Sequence, residues 1–291
     1  MMYQIATDTS ANLPWDYVQA HGITVVPFSY SINDEERSET PGDFDGAAYY
    51  QAIRDGARAN TSQIPPQRYV ERFTPLLEKG EDVLLLSMSS GISGSCQSAQ
   101  MAARELEEIF PGRTVRVVDT LGASLGEGLQ VMRAVELREG GMDLDAVAET
   151  ILAERDHVCQ LLMVDDLFYL RRTGRVSGVS AVVGSILGVK PILKGNEQGQ
   201  LVVSTKARGR KQAIQTMAQR YAQLAREPGS RSVGIAHADC PQDAELLARL
   251  IQEAHPPKEL VSVCYEPVTG AHTGPDALAL FFYGDDDVRL K

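Results

Sequence analysis

Residues 87–98 read SMSSGISGSCQS, six serines and two glycines set between an apolar run, DVLLL (82–86), and a stretch of helical periodicity. Hydroxyls at this density can donate to an anion, and glycines let a ligand approach the backbone. In a doubly wound α/β sheet, ligands bind beyond the carboxyl ends of the strands, where free N–H groups and the helix dipole favour negative charge. Ser93 and the backbone near Gly94 would then serve a ligand's anionic end. Ser90 or Ser93 could equally cap the helix, and on local sequence both readings stand. Ser87 reads as a strand end and Ser98 as helix surface.

Four other stretches share this small, polar character: DTSANLP (8–14), NTSQIPP (60–66), VVDTLGASLGEG (117–128) and TGAHTGPDAL (269–278). Asp8 reads as the start of an Asx turn or a cap. Thr61 or Ser62 reads as the cap of a helix that opens with Pro65 and Pro66. His272, flanked by Thr273, Gly274 and Pro275, reads as a turn residue rather than a core histidine. Several sharper chemistries fail on spacing. GISGS carries serine at 95 where a hydrolase elbow needs glycine. GSILGVK lacks the G-K-[ST] of a phosphate loop, and GASLGEG lacks the order of a dinucleotide fingerprint. The five histidines show no metal-ligand spacing. An esterase or acyl transferase with Ser93 as nucleophile and His272 as base remains the alternative to a binding protein.

The elements that must hold these residues alternate. YQIAT (3–7), ITVVPF (23–28), DVLLL (82–86) and TVRVV (114–118) read as buried strands, and 66–79, 92–110, 121–140 and 143–155 as helices. In 92–110, Ala99, Ala102, Ala103, Leu106, Ile109 and Phe110 form one face. This alternation predicts a mainly parallel sheet covered on both sides. The second half differs. A strand at 158–164 and a helix around 177–187 precede VKPIL and QLVVSTK, which flank the turn KGNEQG as a β-hairpin. A long helix then carries Ile214, Met217, Ala218, Tyr221 and Leu224 on one face, and three more strands follow in SVGIAH, ELVSVCYE and ALALFFYG. The fold class expected is α/β with two domains, 1–156 and 157–291, the first mainly parallel and the second a mixed sheet.

The chain has 291 residues, 43% hydrophobic and 23% charged, with a formal net charge of −11. That charge disfavours nucleic acid as a partner. No apolar run reaches the roughly 18 residues of a membrane span, and MMYQIATDTS lacks the features of a secretory signal. Cys96, Cys159, Cys240 and Cys264 are widely spaced without a CxxC pair, as expected of reduced thiols in a cytoplasm, with no metal site or disulfide framework.

Six motifs together resemble the DegV family of bacterial fatty-acid-binding proteins: TSQ (61–63), SSGISGS (89–95), LFYLRRTGRVS (167–177), LGVKPIL (187–193), GQLVVSTKARGRKQA (199–213) and HTGPDALALFFYG (272–284). The resemblance runs from DTSANLP to the C-terminus. It implies two α/β domains with a long-chain fatty acid in a tunnel between them and no further cofactor. It also implies that Thr61, Ser93 and His272 hold the carboxylate, with Ser62 and Thr273 as further candidates beside them. Either protonation state of the imidazole would serve. The family's carriers have no catalytic activity of their own; they present the acyl group to a separate ATP-dependent fatty acid kinase, whose acyl phosphate feeds phospholipid synthesis. In that light Arg171, Arg172, Arg175, Lys206, Arg208, Arg210 and Lys211 are either a solvated basic face or a surface for the kinase, or for a transient contact with an anionic membrane.

Overall fold

The computed structural model describes residues 3–38, 42–177, 188–285 and 288–291. In the N-terminal half, β1 (Tyr3–Asp8), α1 (Trp15–Ala20) and β2 (Thr24–Val26) lead into β3 (Ser29–Ile32), β4 (Glu35–Ser38), α2 (Gly46–Arg54) and β5 (Ala59–Ser62). There follow α3 (Pro66–Glu78), β6 (Asp82–Ser87), α4 (Ser95–Ile109), β7 (Val115–Asp119), α5 (Leu125–Glu139) and α6 (Leu144–Glu154). The C-terminal half contains β8 (Val158–Met163), α7 (Phe168–Arg172), β9 (Val176–Ser177), β10 (Val189–Gly195), β11 (Leu201–Arg208) and α8 (Arg210–Leu224). It closes with β12 (Ser232–His237), α9 (Pro241–Ala254), β13 (Glu259–Cys264), α10 (Pro267–Thr273) and β14 (Leu278–Tyr283).

A four-stranded sheet runs in the order β2-β1-β6-β7, all pairs parallel. Successive strands lie to the left of β1 and to the right of β6, so the strand order switches between these two. In β6 the run DVLLLS is buried throughout because both faces are covered. Val83 and Leu85 pack with Phe73, Ala102 and Leu106 on one side, while Leu84 and Leu86 pack with Val131, Val147 and Ile151 on the other. Each such leucine contributes about 2 kcal/mol of burial.

The larger sheet has seven strands in the order β13-β12-β14-β8-β10-β11-β9, with parallel and antiparallel pairs mixed. One face packs on α8 and α9 through Ile214, Met217, Tyr221, Leu247 and Ile251. The other face is covered from the N-terminal half: Leu125, Leu129 and Met132 of α5 and Tyr49, Tyr50 and Ile53 of α2 share a core with Leu162, Leu193 and Phe281. Helix α5 therefore lies between the two sheets.

Several expected elements shift. The run 23–28 ends as a strand at Val26, before Pro27, which has no N–H to give to a ladder; β3 then starts a separate antiparallel sheet, β4-β3-β5. The helix expected from 121 starts at Leu125, because Leu121 and Ser124 adopt positive φ (51° and 52°). Helix α4 begins at Ser95 rather than 92. The hairpin forms as β10–β11, with Asn196 Oδ1 accepting from the Gln198 and Gln200 N–H groups. The helix expected around 177–187 lies outside the described residues apart from Ser177, which ends β9.

Candidate functional site

The switch between β1 and β6 is where a doubly wound sheet offers a crevice, and the chain builds it in two layers. Below lies a closed polar cluster. Asp8 ends β1 and accepts from Ser10 N–H (3.0 Å), from Met88 N–H (3.2 Å) and from the Ser10 hydroxyl. Glu127 on α5 accepts from Thr7 Oγ1 (2.7 Å) and lies 2.8 Å from Ser10 Oγ; the single Ser10 hydroxyl proton goes to Asp8, so the proton held by Glu127 makes this second bond. Both carboxyls are buried. Burial pushes Asp8 up to about 6; burial, together with the neighbouring Asp8 charge, raises Glu127 well above the usual carboxylate range.

Above this floor the loop after β6 is fixed by backbone bonds. Ser89 N–H donates to Gly122 O (2.8 Å), and Ser89 Oγ donates to Gly199 O (2.9 Å) on the β10–β11 hairpin. Ser93 follows, half-buried, with Oγ 3.0 Å from Ser95 Oγ and accepting from Ser95 N–H (3.2 Å). Gly94 is the residue before α4, which has no side-chain cap, so neither Ser90 nor Ser93 is its N-cap.

The TSQ stretch is stitched to this loop. Ser95 Oγ accepts from Ile64 N–H (3.1 Å), and Gln63 Nε2 donates to Ser98 Oγ (3.3 Å). A Cβ at Gly94 would collide with Gln63 Oε1, so glycine is what lets the two motifs touch. Ser98 is buried rather than on the helix surface, because it continues the Ala99–Ala102–Leu106 stripe one turn back. Thr61 and Ser62 lie in β5, not at a helix cap: α3 is preceded by Pro65 without a side-chain cap, its first turn needing none where proline removes the N–H.

His272 comes from the other half of the chain. It sits in the last turn of α10, not in an open turn, since Glu266 caps that helix by accepting from Val268 and Thr269 N–H and Pro267 opens it. Thr61 Oγ1 and His272 Nε2 are hydrogen-bonded at 2.9 Å across 211 residues of sequence. His272 Nδ1 is buried and has no partner. Burial first, then the positive charges of Arg175 and Arg172, lower the His272 pKa to about 4, so the imidazole is neutral at pH 7. With the proton on Nδ1, Thr61 donates to Nε2 and Nδ1–H is left as a donor.

Thr61 and His272 line a cavity whose empty space, counting its open mouth, is about 860 Å³. Its wall is mainly apolar, with Phe28, Met88, Ile92, Leu162, Leu201 and Phe281. Thr61, Ser62, Ser93, His272 and Thr273 all line it, whereas Gly94 lies in the adjoining polar cleft. Arg175 also lines the cavity, its Nε donating to Ile92 O (3.3 Å), although the sequence suggested a docking role for it. Arg172 is exposed and donates to Ala59 O (3.1 Å). Arg210 is held in ion pairs with Asp165 (2.6 Å) and Asp243. Arg171, Lys206, Arg208 and Lys211 are exposed. Three residues here escape a reading of the sequence: Gln63 as the brace, Arg175 as cavity wall, and Thr269, a further lining residue on α10. A mainly apolar wall that also presents hydroxyls, a neutral imidazole and the Arg175 guanidinium suits an amphiphile with an anionic head.

Comparison with known proteins agrees along the whole chain. A sequence model described as "Uncharacterised protein, DegV family" matches residues 2–285. The chain belongs to the DegV family. A DegV domain-containing protein of Clostridium perfringens is 34% identical over 284 residues, 97% of this chain and 98% of that one. A Thermus thermophilus DegV family protein, whose structure is described as fatty-acid binding, is 30% identical with a TM-score of 0.88, covering 98% of this chain and 100% of its own. The Streptococcus pneumoniae Fatty Acid Kinase (Fak) B3 protein, solved loaded with linoleic acid, shares the fold at a TM-score of 0.84 and 20% identity, over 98% of this chain and 100% of that one. The DegV fold, parallel sheet first and mixed sheet second, is the one expected from the sequence. The esterase alternative finds no support: Ser93 Oγ is bonded to Ser95, His272 Nε2 to Thr61, and His272 Nδ1 has no carboxylate to orient it.

Proposed function

We propose that this DegV protein is a fatty-acid carrier. It holds a long-chain fatty acid in the cavity with the carboxylate at Thr61, Ser93 and His272, and presents that carboxylate to a separate ATP-dependent kinase for acyl-phosphate formation and phospholipid synthesis. The observation that carries the reading is the His272 ring: neutral, fixed by Thr61, and left with an unpartnered buried Nδ1 in a residue that lines a mainly apolar cavity. Burying about 14 methylenes at ~0.8 kcal/mol each yields on the order of 11 kcal/mol before ordering costs. The carboxylate requires donors, because an unpaired buried charge is far more costly. Nδ1–H, the Ser93 hydroxyl and the nearby Arg175 charge supply them. The fatty-acid binding described for the Thermus relative supports the ligand class, and the kinase step rests on the resemblance of the six motifs to the family's carriers.

Native mass spectrometry of protein purified without added lipid should show a fatty acid at one per chain. Ser93→Ala and His272→Ala should each weaken binding at least 10-fold while remaining folded; wild-type lipid occupancy in both variants would overturn the assignment. The exposed Arg171, Lys206, Arg208 and Lys211 form the docking face in this reading. Reversing Lys206 and Arg208 to Glu should slow kinase turnover about 10-fold with lipid content unchanged; unchanged turnover would return these residues to a solvated surface.

A further inference from the structure

Threonines inside helices ordinarily return their hydroxyl to a carbonyl three or four residues back. Thr273, which ends α10, turns instead to Gly274 O (3.5 Å), whereas inside its other helices this chain does so at Thr74 (to Val70 O, 2.8 Å), Thr150 (to Ala146 O, 2.7 Å) and Thr216 (to Gln212 O, 2.8 Å), and also at Thr173, the residue just after α7 (to Tyr169 O, 3.0 Å). Thr269 does not. Its carbonyl four residues back, Tyr265 O, precedes α10 and accepts from Tyr50 Oη (2.9 Å), and Glu266 O accepts from Gly270 N–H (3.0 Å). Thr269 Oγ1 is left buried without a partner. Among the described residues, two that line the cavity around Thr61 carry such an orphaned polar atom, Thr269 and His272. They are three apart on α10, which puts them on neighbouring positions of one helix face.

We propose that Thr269 is a further contact for the ligand's anionic head, its hydroxyl donating to the carboxylate alongside His272 Nδ1. The inference rests on the fatty-acid reading above. An orphaned buried hydroxyl in the wall of a mainly apolar cavity costs stability unless a ligand satisfies it. Thr269 therefore has the same relation to the ligand as the histidine one turn further on.

The test compares wild type, Thr269→Val and Thr269→Ser for binding of myristic, palmitic and oleic acids, with melting temperatures recorded alongside. Valine keeps the shape and removes the donor. The expected result is a loss of about 10-fold in affinity, by the same factor for all three acids, with serine within about 2-fold of wild type. If Thr269 faced the acyl chain instead, valine would tighten binding by removing a polar atom from an apolar wall, and the proposal would fall. Unchanged affinity with a shifted melting temperature would overturn it too, by assigning Thr269 to packing alone. If valine prevents folding, Thr269→Ala is read by the same criteria. Wild-type protein that binds none of the three acids would instead sink the carrier reading, a result distinct from normal wild-type binding that the variant leaves intact.

Discussion

Two buried polar clusters lie next to each other at the carboxyl ends of the strands, and they are built on opposite terms. Around Asp8 and Glu127, Thr7, Ser10 and the Met88 N–H satisfy the carboxyl oxygens, and the cluster is closed. Around His272 the bonds stop short: Thr61 takes one ring nitrogen, and the other, like Thr269 Oγ1, has nothing. Buried polar groups are normally paired. A saturated cluster holds backbone in place, as Asp8 does for the loop at Met88, whereas an unsaturated one at a cavity wall is arranged for something that arrives later. Other buried atoms of the described residues lack partners too, Tyr69 Oη and Ser87 Oγ among them, but these residues do not line the cavity, so it is the orphaned atom together with the cavity wall that marks the site.

The comparison makes its strongest prediction through pH, because the two regions titrate in opposite senses. Asp8 is raised from 3.8 to about 6 by burial. Between pH 4 and 6 the folded chain therefore holds a proton that the unfolded chain has released, and stability falls as pH rises through that window. His272 is lowered from 6.5 to about 4. Between pH 4 and 6.5 the unfolded chain holds the extra proton, so this contribution rises with pH. Relative to wild type, Asp8→Asn should gain stability between pH 4 and 6, and His272→Ala should lose about 3 kcal/mol between pH 4 and 6.5. Denaturant melts at half-unit pH steps check this. Parallel trends in the two variants would break the contrast. Loading with fatty acid should raise the His272 pKa, since a carboxylate beside the ring favours its charged form; nitrogen NMR of the imidazole in the free and loaded protein reads that shift.

How much of this could be read from the sequence depends on whether an element announces itself by periodicity. Strand β6 did, because burial on both faces leaves an unbroken apolar run. The sheet β4-β3-β5 did not: β4 is EERS and wholly exposed, so it has no apolar face to detect. Helix α10 has only seven residues with Gly270 inside, too short for a stripe, and its signals are the Glu266 cap, Pro267 at the first turn and Gly274 at φ 75°. The meeting of Thr61, Ser93 and His272 in one cavity wall was legible through the six motifs taken together rather than through any one of them. Ser98 was within reach, since Ser95, Ser98, Ala102 and Leu106 continue one three-and-four spacing. Glu127 was not, because nothing in GASLGEG distinguishes a fully buried carboxyl from a solvated one.

The smallest predicted effect concerns how the TSQ and serine-glycine motifs are joined. Gly94 has φ −78° and ψ −1°, a conformation alanine adopts without strain, so glycine is needed there for space alone. The atom that a Cβ would meet is the end of the exposed Gln63 side chain, which can swing away at the cost of its bond to Ser98. Gly94→Ala should therefore lower stability by only about 1 kcal/mol. It should weaken fatty-acid binding a few-fold, by loosening Thr61 relative to Ser93. Gln63→Ala removes the obstacle and the bond together, so adding Gly94→Ala to it should cost nothing more. The coupling energy of this double-mutant cycle is then nearly the whole effect of Gly94→Ala. If the two substitutions add independently in both melting and lipid binding, the contact is incidental, and the two motifs are held in register by the Ser95–Ile64 bond instead.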